Sequence, residues 1–240
     1  MAYGSQVTVD RYLAMEINFW LDRWNNNQTG FHQRQVNPYL TYFYGEKGPG
    51  FERREALKVF VPLCGKSKDM LWLSQNGFKV FAVECSERAV KDFFEENALN
   101  YKYAKKGEHG LYQSSGLASQ IEIFQGDFFG LQVHDLEQVT DIFDRASLIA
   151  MPAEMRKHYA AKMAELQQPG TRTLLVTLTF DPEEMNGPPF SVTEEELQQL
   201  YSDDFTIEKI LIKDVIKEED GLRKRGLTAL VETVYKLVRK

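Results

Sequence analysis

Apolar positions repeat in two different ways along this chain. Near the amino terminus Leu13, Ile17, Trp20 and Trp24 recur at steps of four, three and four, which lines them on one helix face. Asn25, Asn26, Asn27 and Gly30 end that helix. A second short helix is predicted from Asn37-Pro38 through Tyr44, followed by a turn-rich connector over residues 45–50. From Leu57 the pattern becomes short apolar runs alternating with helical segments. Residues 58–63 read as a strand that is apolar nearly throughout, as expected when both faces of a parallel sheet are covered. Residues 64–67 form a loop, 68–75 a helix stopped by Gly77, and 80–83 a second strand ending in Glu84. Ser86 is placed to cap the next helix, which runs through Phe93 and Phe94.

Residues 101–119, with Gly107, Gly110 and Gly116, read as a strand or hairpin insertion. A third parallel strand at 121–124 ends at Gly126-Asp127, and a fourth within 140–150 ends at Asp144-Arg145. A helix over 153–166 leads to a fifth strand at 174–178. After a loop at 181–190 and a helix at 193–201, two alternating segments, 207–215 and 230–237, are suited to an antiparallel hairpin. The sum is an α/β, doubly wound, mostly parallel sheet with a terminal antiparallel hairpin. Ligands of such sheets bind at the carboxyl ends of the strands, near the switch in strand order.

Composition narrows the partners. The chain has 240 residues, 43% hydrophobic and 27% charged, which fits one domain over residues 1–240. A net charge of −6 disfavours nucleic acid, and the Arg223-Lys224-Arg225 stretch reads as a solvated turn. No signal-like segment and no long apolar run is visible, so a cytoplasmic protein away from membranes is expected. Cys64 and Cys85 are the two cysteines, without metal-ligand spacing; no structural metal is expected.

The strongest chemical signal pairs Gly65 with Glu84. Gly65 lies in the turn after the first strand, where a missing side chain admits a ligand to the backbone. Glu84 follows about twenty residues later at the second strand end, where an acidic side chain accepts from both ribose hydroxyls. A solvated strand end is the alternative for Glu84. The loop Leu63 to Lys68 carries one glycine, not the Gly-x-Gly-x-x-Gly that holds a pyrophosphate. A nucleoside without phosphate, such as S-adenosylmethionine, fits it better than a nicotinamide or flavin dinucleotide. Asp127 is either an acceptor for an adenine amino group or a turn residue.

Several segments together carry a family resemblance. Trp20-Leu-Asp-Arg-Trp24, Thr29-Gly-Phe-His-Gln33 and Asn37-Pro-Tyr-Leu40 resemble the amino-terminal signature of thiopurine S-methyltransferases. Val61-Pro-Leu-Cys-Gly-Lys-Ser67 is similar to that family's first cofactor loop, and Phe81-Ala-Val-Glu-Cys-Ser-Glu87 follows at the family spacing. Gly126-Asp-Phe-Phe129, Phe143-Asp-Arg-Ala-Ser-Leu148 and Gly187-Pro-Pro-Phe190 complete the series, which covers the chain from about residue 15 and is closest to the bacterial members.

The resemblance implies a class I methyltransferase fold, S-adenosylmethionine as methyl donor and S-adenosylhomocysteine as product. It implies an amino-terminal helical lid over about residues 10–50 ahead of a core at 57–240. Carried over by position, Trp24, Leu63, Glu84 and Arg145 match the family's cofactor contacts. Trp20 shares the lid segment, and Gly126 and Asp127 align with adenine contacts. Phe31 matches a position beside the acceptor. Read without the resemblance, Trp20 and Trp24 are core, Arg145 pairs with Asp144, and His32 is a surface or cap residue.

The expected activity is S-methylation of aromatic and heterocyclic thiols, thiopurines among them, with no protein general base and Arg145 in an electrostatic role. The expected partner is a small-molecule thiol, and the expected state a monomer. Small thiols, sulfide, thiocyanate or selenium compounds are the alternative acceptors. A dinucleotide oxidoreductase and a silent nucleoside-binding protein are the rivals from other classes.

Overall fold

The structure, a computed structural model, describes residues 17–45, 57–107, 109–116 and 120–240. Leu13, the connector at 46–50 and the outer parts of the 10–50 segment lie outside the described residues. Two compact units divide the chain, one ending at Leu131 and the other beginning at Gln132.

In the first unit, residues 17–25 (α1) are helical, and α2 (Pro38–Tyr44) follows. Asn37 caps α2 by accepting from the Tyr39 N–H, and Pro38 fills the first helical position, where its missing N–H costs nothing. The sheet then alternates with helices through β1 (Lys58–Val61), α3 (Lys68–Gln75), β2 (Lys79–Glu84) and α4 (Glu87–Glu96). Ser67 and Ser86 cap the two helices through their hydroxyls. A hairpin, β3 (Asn100–Lys106) and β4 (His109–Ser115), precedes β5 (Ile121–Gln125).

The strand order in this unit is β3-β4-β5-β2-β1. β1 and β5 both run parallel to β2, and the hairpin joins β5 antiparallel. β2 is buried from Val80 through Glu84, which explains its unbroken apolar run. α4 presses Ala89, Val90, Phe93 and Phe94 inward. β3 is the edge strand, exposed along its whole length, and Lys102, Lys105 and Lys106 discourage further pairing there.

After β5 the chain makes two short 3-10 turns, Phe128–Gly130 and Val133–Leu136. The second unit contains β6 (Val139–Arg145), α5 (Ala153–Leu166), β7 (Arg172–Thr179), α6 (Glu194–Tyr201), β8 (Phe205–Asp214), α7 (Asp220–Arg223) and β9 (Val231–Arg239). Its strand order is β6-β7-β9-β8, with β6 parallel to β7 and the other pairs antiparallel. The terminal hairpin is therefore present, with β9 between β7 and β8.

The stretch expected as a solvated turn at 223–225 is partly the short helix α7. Arg225 donates to the Pro188 and Asn186 carbonyls at 3.0 and 3.2 Å, so it ties down the 186–188 loop. Arg156 is buried on α5 and meets Glu196 of α6 through two hydrogen bonds of 2.7 and 2.9 Å. That forked pair fixes the packing of α6 on α5.

Candidate functional site

Three strand ends of the first unit meet at one place. The N–H of Cys64 donates to the Val83 carbonyl, and that of Gly126 to the Glu84 carbonyl, each at 2.9 Å. The turns after β1, β2 and β5 are thereby held side by side. Glu84 is the centre of the cluster. It is 4% exposed, and its carboxylate accepts from the Gly65 N–H at 2.9 Å and from the Ser86 N–H at 2.8 Å. The Cys85 thiol lies 3.4 Å from the same oxygen that Ser86 meets. Burial raises the pKa of the Glu84 carboxyl, and the hydrogen bonds from Ser86, Gly65 and Cys85 work against it. The solvated strand end is thus replaced by a buried acceptor. Oε1 meets both the Ser86 N–H and the Cys85 thiol, whereas Oε2 meets the Gly65 N–H and, with two lone pairs, can take one more donor.

The turn after β1 is shaped by left-handed backbone at Leu63 (φ +43°) and Gly65 (φ +52°). Only glycine adopts that region without cost, yet Leu63 is held there as well. A side chain at Gly65 would also collide, since a Cβ there falls 3.0 Å from Cζ2 of Trp24. Gly65→Ala is expected to cost about 1–2 kcal/mol in backbone strain and to dislodge Trp24. Calorimetric titration with S-adenosylhomocysteine should show the weakened affinity, and unaltered binding would remove this turn from the site.

Trp24 is 3% exposed and forms one wall of an aromatic cluster. Its ring lies edge-on to Phe31 at 5.4 Å, and Trp20 meets Phe31 at 5.3 Å in the same manner. Phe31 itself remains 37% exposed. Asp127 accepts from the Phe129 N–H at 3.0 Å and caps the first 3-10 turn, so its role as a turn residue is present in the structure. A Cβ at Gly126 would meet His109 Nδ1 at 2.5 Å, a packing reason for that glycine. His32 closes a tight turn by donating its N–H to the Thr29 carbonyl at 2.9 Å.

Lys66, in the same loop, lies 2.5 Å from Glu96 and 3.5 Å from Asp92 on α4. A loop whose lysine is engaged by carboxylates is poorly suited to a phosphate but well suited to a nucleoside lacking one. Cys64 and Cys85 are free thiols. Burial first, then the charge of Glu84, pushes both thiols well up, so neither is a nucleophile at neutral pH. Among the described residues no group of three His, Cys, Asp or Glu is placed to hold a metal, and no helix is long and apolar enough to cross a membrane.

Arg145 belongs to the second unit, at the end of β6. Its charge lowers the pKa of Glu219, which burial and the nearby Glu232 and Glu218 raise by more. The neighbouring Asp144 is turned inward, where it accepts from the Tyr159 hydroxyl at 2.7 Å. Successive side chains of a strand point to opposite faces.

Solved structures share this fold. The 1,6-didemethyltoxoflavin-N1-methyltransferase of Burkholderia thailandensis, with bound S-adenosylhomocysteine, matches 96% of this chain and 90% of its own at a TM-score of 0.61 and 14% identity. A SAM-dependent methyltransferase from Anabaena variabilis matches 93% and 95% at 0.62 and 16% identity. The fold is that of the class I S-adenosylmethionine-dependent methyltransferases. The thiopurine S-methyltransferase family model matches residues 15–240. The thiopurine S-methyltransferase of Pseudomonas fluorescens (strain SBW25) is 42% identical over 224 residues, 93% of this chain and 99% of that protein. That of Azotobacter vinelandii is 41% identical over 228 residues, 94% and 100% of the two chains. This chain belongs to the thiopurine S-methyltransferase family, transfers methyl groups, and uses S-adenosylmethionine.

Proposed function

We propose that the chain methylates the sulfur of aromatic and heterocyclic thiols, thiopurines among them, and that it acts as a monomer. Phe31 carries the reading. A flat aromatic ring, partly exposed, is braced edge-on by Trp20 and by Trp24, and Trp24 in turn lies against Gly65 in the turn that holds Glu84. Such a surface suits a flat heterocycle better than a small inorganic nucleophile.

The residues fit a nucleoside sulfonium. Glu84 is assigned the ribose hydroxyls, Leu63 and Gly65 the backbone contact at the first turn, and Gly126 and Asp127 the adenine edge. Trp24, with Trp20, is assigned the closing of the methionine portion. S-adenosylmethionine supplies the activated methyl group. The protein's contribution is then positioning and the exclusion of water, because transfer to a thiolate is a direct displacement. Arg145, whose guanidinium stays charged, is assigned the task of favouring the ionised acceptor.

No protein base is required in this scheme. Ordinary thiols titrate near pH 8.5, and electron-poor heterocyclic thiols ionise lower. The rate at limiting acceptor should rise along each acceptor's own ionisation curve and then level off. His32→Ala should leave the curve unaltered, as expected of a residue placed in a turn. Profiles for two thiols of different acidity check this. A midpoint common to both, and lost in the histidine variant, would overturn it. Turnover of sulfide or thiocyanate with no turnover of aromatic thiols would overturn the acceptor assignment.

A further inference from the structure

Arg88 stands at the second position of α4, four residues beyond Glu84. A cation in the first turn of a helix faces the positive end of the helix dipole and is disfavoured there. Its guanidinium does not serve its own helix. Nη1 donates to the Asn25 carbonyl at 2.9 Å, and Nη2 donates to Asn27 Oδ1 at 2.7 Å. Asn25 is the last helical residue of α1, so its carbonyl is one of those that a helix leaves without an internal partner. A cation at that end is favourable.

Asn27 adds a second reason. It has a left-handed backbone, φ +54°, and the Gln28 N–H closes the helix end on the Arg23 carbonyl at 2.8 Å. Glycine is the usual residue at such a C-terminal position, with asparagine the common substitute. Asparagine brings what glycine lacks, a side-chain oxygen, and here that oxygen is spent on Arg88.

The contacts close a ring. Arg88 holds the backbone at Asn25, the next residue back is Trp24, and Trp24 lies on Gly65. The Gly65 N–H holds Glu84, and Glu84 leads within four residues to Arg88. The same helix grips the turn after β1 through Lys66, Asp92 and Glu96. We infer that Arg88 is a positioning residue that latches the amino-terminal segment onto α4 and so sets Trp24 over the cofactor turn. The inference rests on the reading of Trp24 as a cofactor-closing residue.

Affinity for S-adenosylhomocysteine tests it, with Arg88→Ala, Asn27→Gly, their combination, and Trp24→Ala compared in the full chain. Glycine preserves the left-handed backbone at position 27, so that variant removes only the side chain. Arg88→Ala should raise the dissociation constant about fivefold, the upper range for an exposed charged contact. Asn27→Gly should raise it by less, and the double variant should match Arg88→Ala, because Arg88→Ala already removes the one bond that Asn27→Gly breaks. Arg88→Lys should not restore affinity, since lysine lacks the fork that spans two acceptors. The maximal rate at saturating cofactor should stay within about twofold of the parent, as for an interaction shared by ground and transition states.

Independent, multiplying effects of the two substitutions would overturn the latch. So would unchanged affinity in Arg88→Ala alongside a loss in Trp24→Ala, which leaves the Trp24 assignment standing. Unchanged affinity in Trp24→Ala as well would remove that assignment and the latch with it.

Discussion

Glu84→Gln is expected to weaken S-adenosylhomocysteine binding by about 1.5–3 kcal/mol, the worth of a hydrogen bond to a charged group. That corresponds to roughly 10- to 150-fold in affinity. The substitution keeps the shape of the side chain and changes its chemistry at both oxygens. Glu84 takes the Gly65 N–H on one oxygen and the Ser86 N–H on the other. An amide has one acceptor, so its nitrogen must face one of those N–H groups, and the turn loses a bond even before ligand arrives. Alanine would strip both donors and confuse lost binding with a disturbed turn, which makes glutamine the cleaner variant.

The pH dependence adds a second signature. Burial holds the Glu84 carboxyl above its ordinary 4.5. A carboxyl raised on folding contributes stability that is fully present below its unfolded pKa and is lost as pH rises through the folded value. With Glu84 assigned to the ribose, the ionised carboxylate is the stronger acceptor, so affinity is expected to climb with pH over the window in which that stability is lost. Both trends should vanish in Glu84→Gln. Calorimetric titration and thermal unfolding of the two proteins across about pH 4.5 to 7.5 measure them together. A glutamine variant that binds at full strength would exclude Glu84 from the ribose site.

Much of this architecture was legible from local pattern. Asn37 and Ser86 are short polar residues directly ahead of apolar-periodic segments, and both are helix caps in the structure. The helices at 68–75 and 153–166 and the terminal antiparallel pair were legible for the same reason: period and punctuation are local properties. The segment after β5, for which no element was predicted, holds two short 3-10 turns, the first capped by Asp127 and the second closed by Asp135, which accepts from the Gln132 N–H.

The site was legible in part. A single glycine after one strand and an acidic residue at the end of the next gave Gly65 and Glu84, whose backbone-to-carboxylate bond the structure contains. What periodicity leaves invisible is the choice of long-range partner. Nothing near Arg88 announces that its guanidinium meets Asn25 and Asn27, more than sixty positions earlier. Nothing in the loop sequence announces that Leu63 takes a left-handed backbone, because leucine does so only when its surroundings compel it. The partner of Asp144 is a further case: the Tyr159 hydroxyl that it accepts from lies on α5, and nothing in the strand sequence points to it.

Asp144 supplies the other large effect. It is 1% exposed and faces the Tyr159 hydroxyl, with Ser147 also donating and Tyr201 of α6 nearby. Burial outweighs these hydrogen bonds and lifts its pKa from 3.8 to about 6. At about 1.4 kcal/mol for each tenfold change in proton affinity, the ionised carboxylate costs the fold about 3 kcal/mol. The folded pKa is the raised one, so stability from this group is complete below pH 3.8 and is lost as pH climbs through about 6. Asp144→Asn removes that titration and keeps an acceptor for Tyr159. The difference in unfolding free energy between variant and parent should therefore move by about 3 kcal/mol in the variant's favour between about pH 3 and pH 8. Chemical denaturation at several pH values measures it, and parallel curves for the two proteins would show that Asp144 does not titrate in this range. A carboxylate retained at such a cost at the end of β6, next to Arg145, is expected to serve the reaction. The same variant should then lose turnover as it gains stability; a stabilised variant with full activity would assign Asp144 to packing alone.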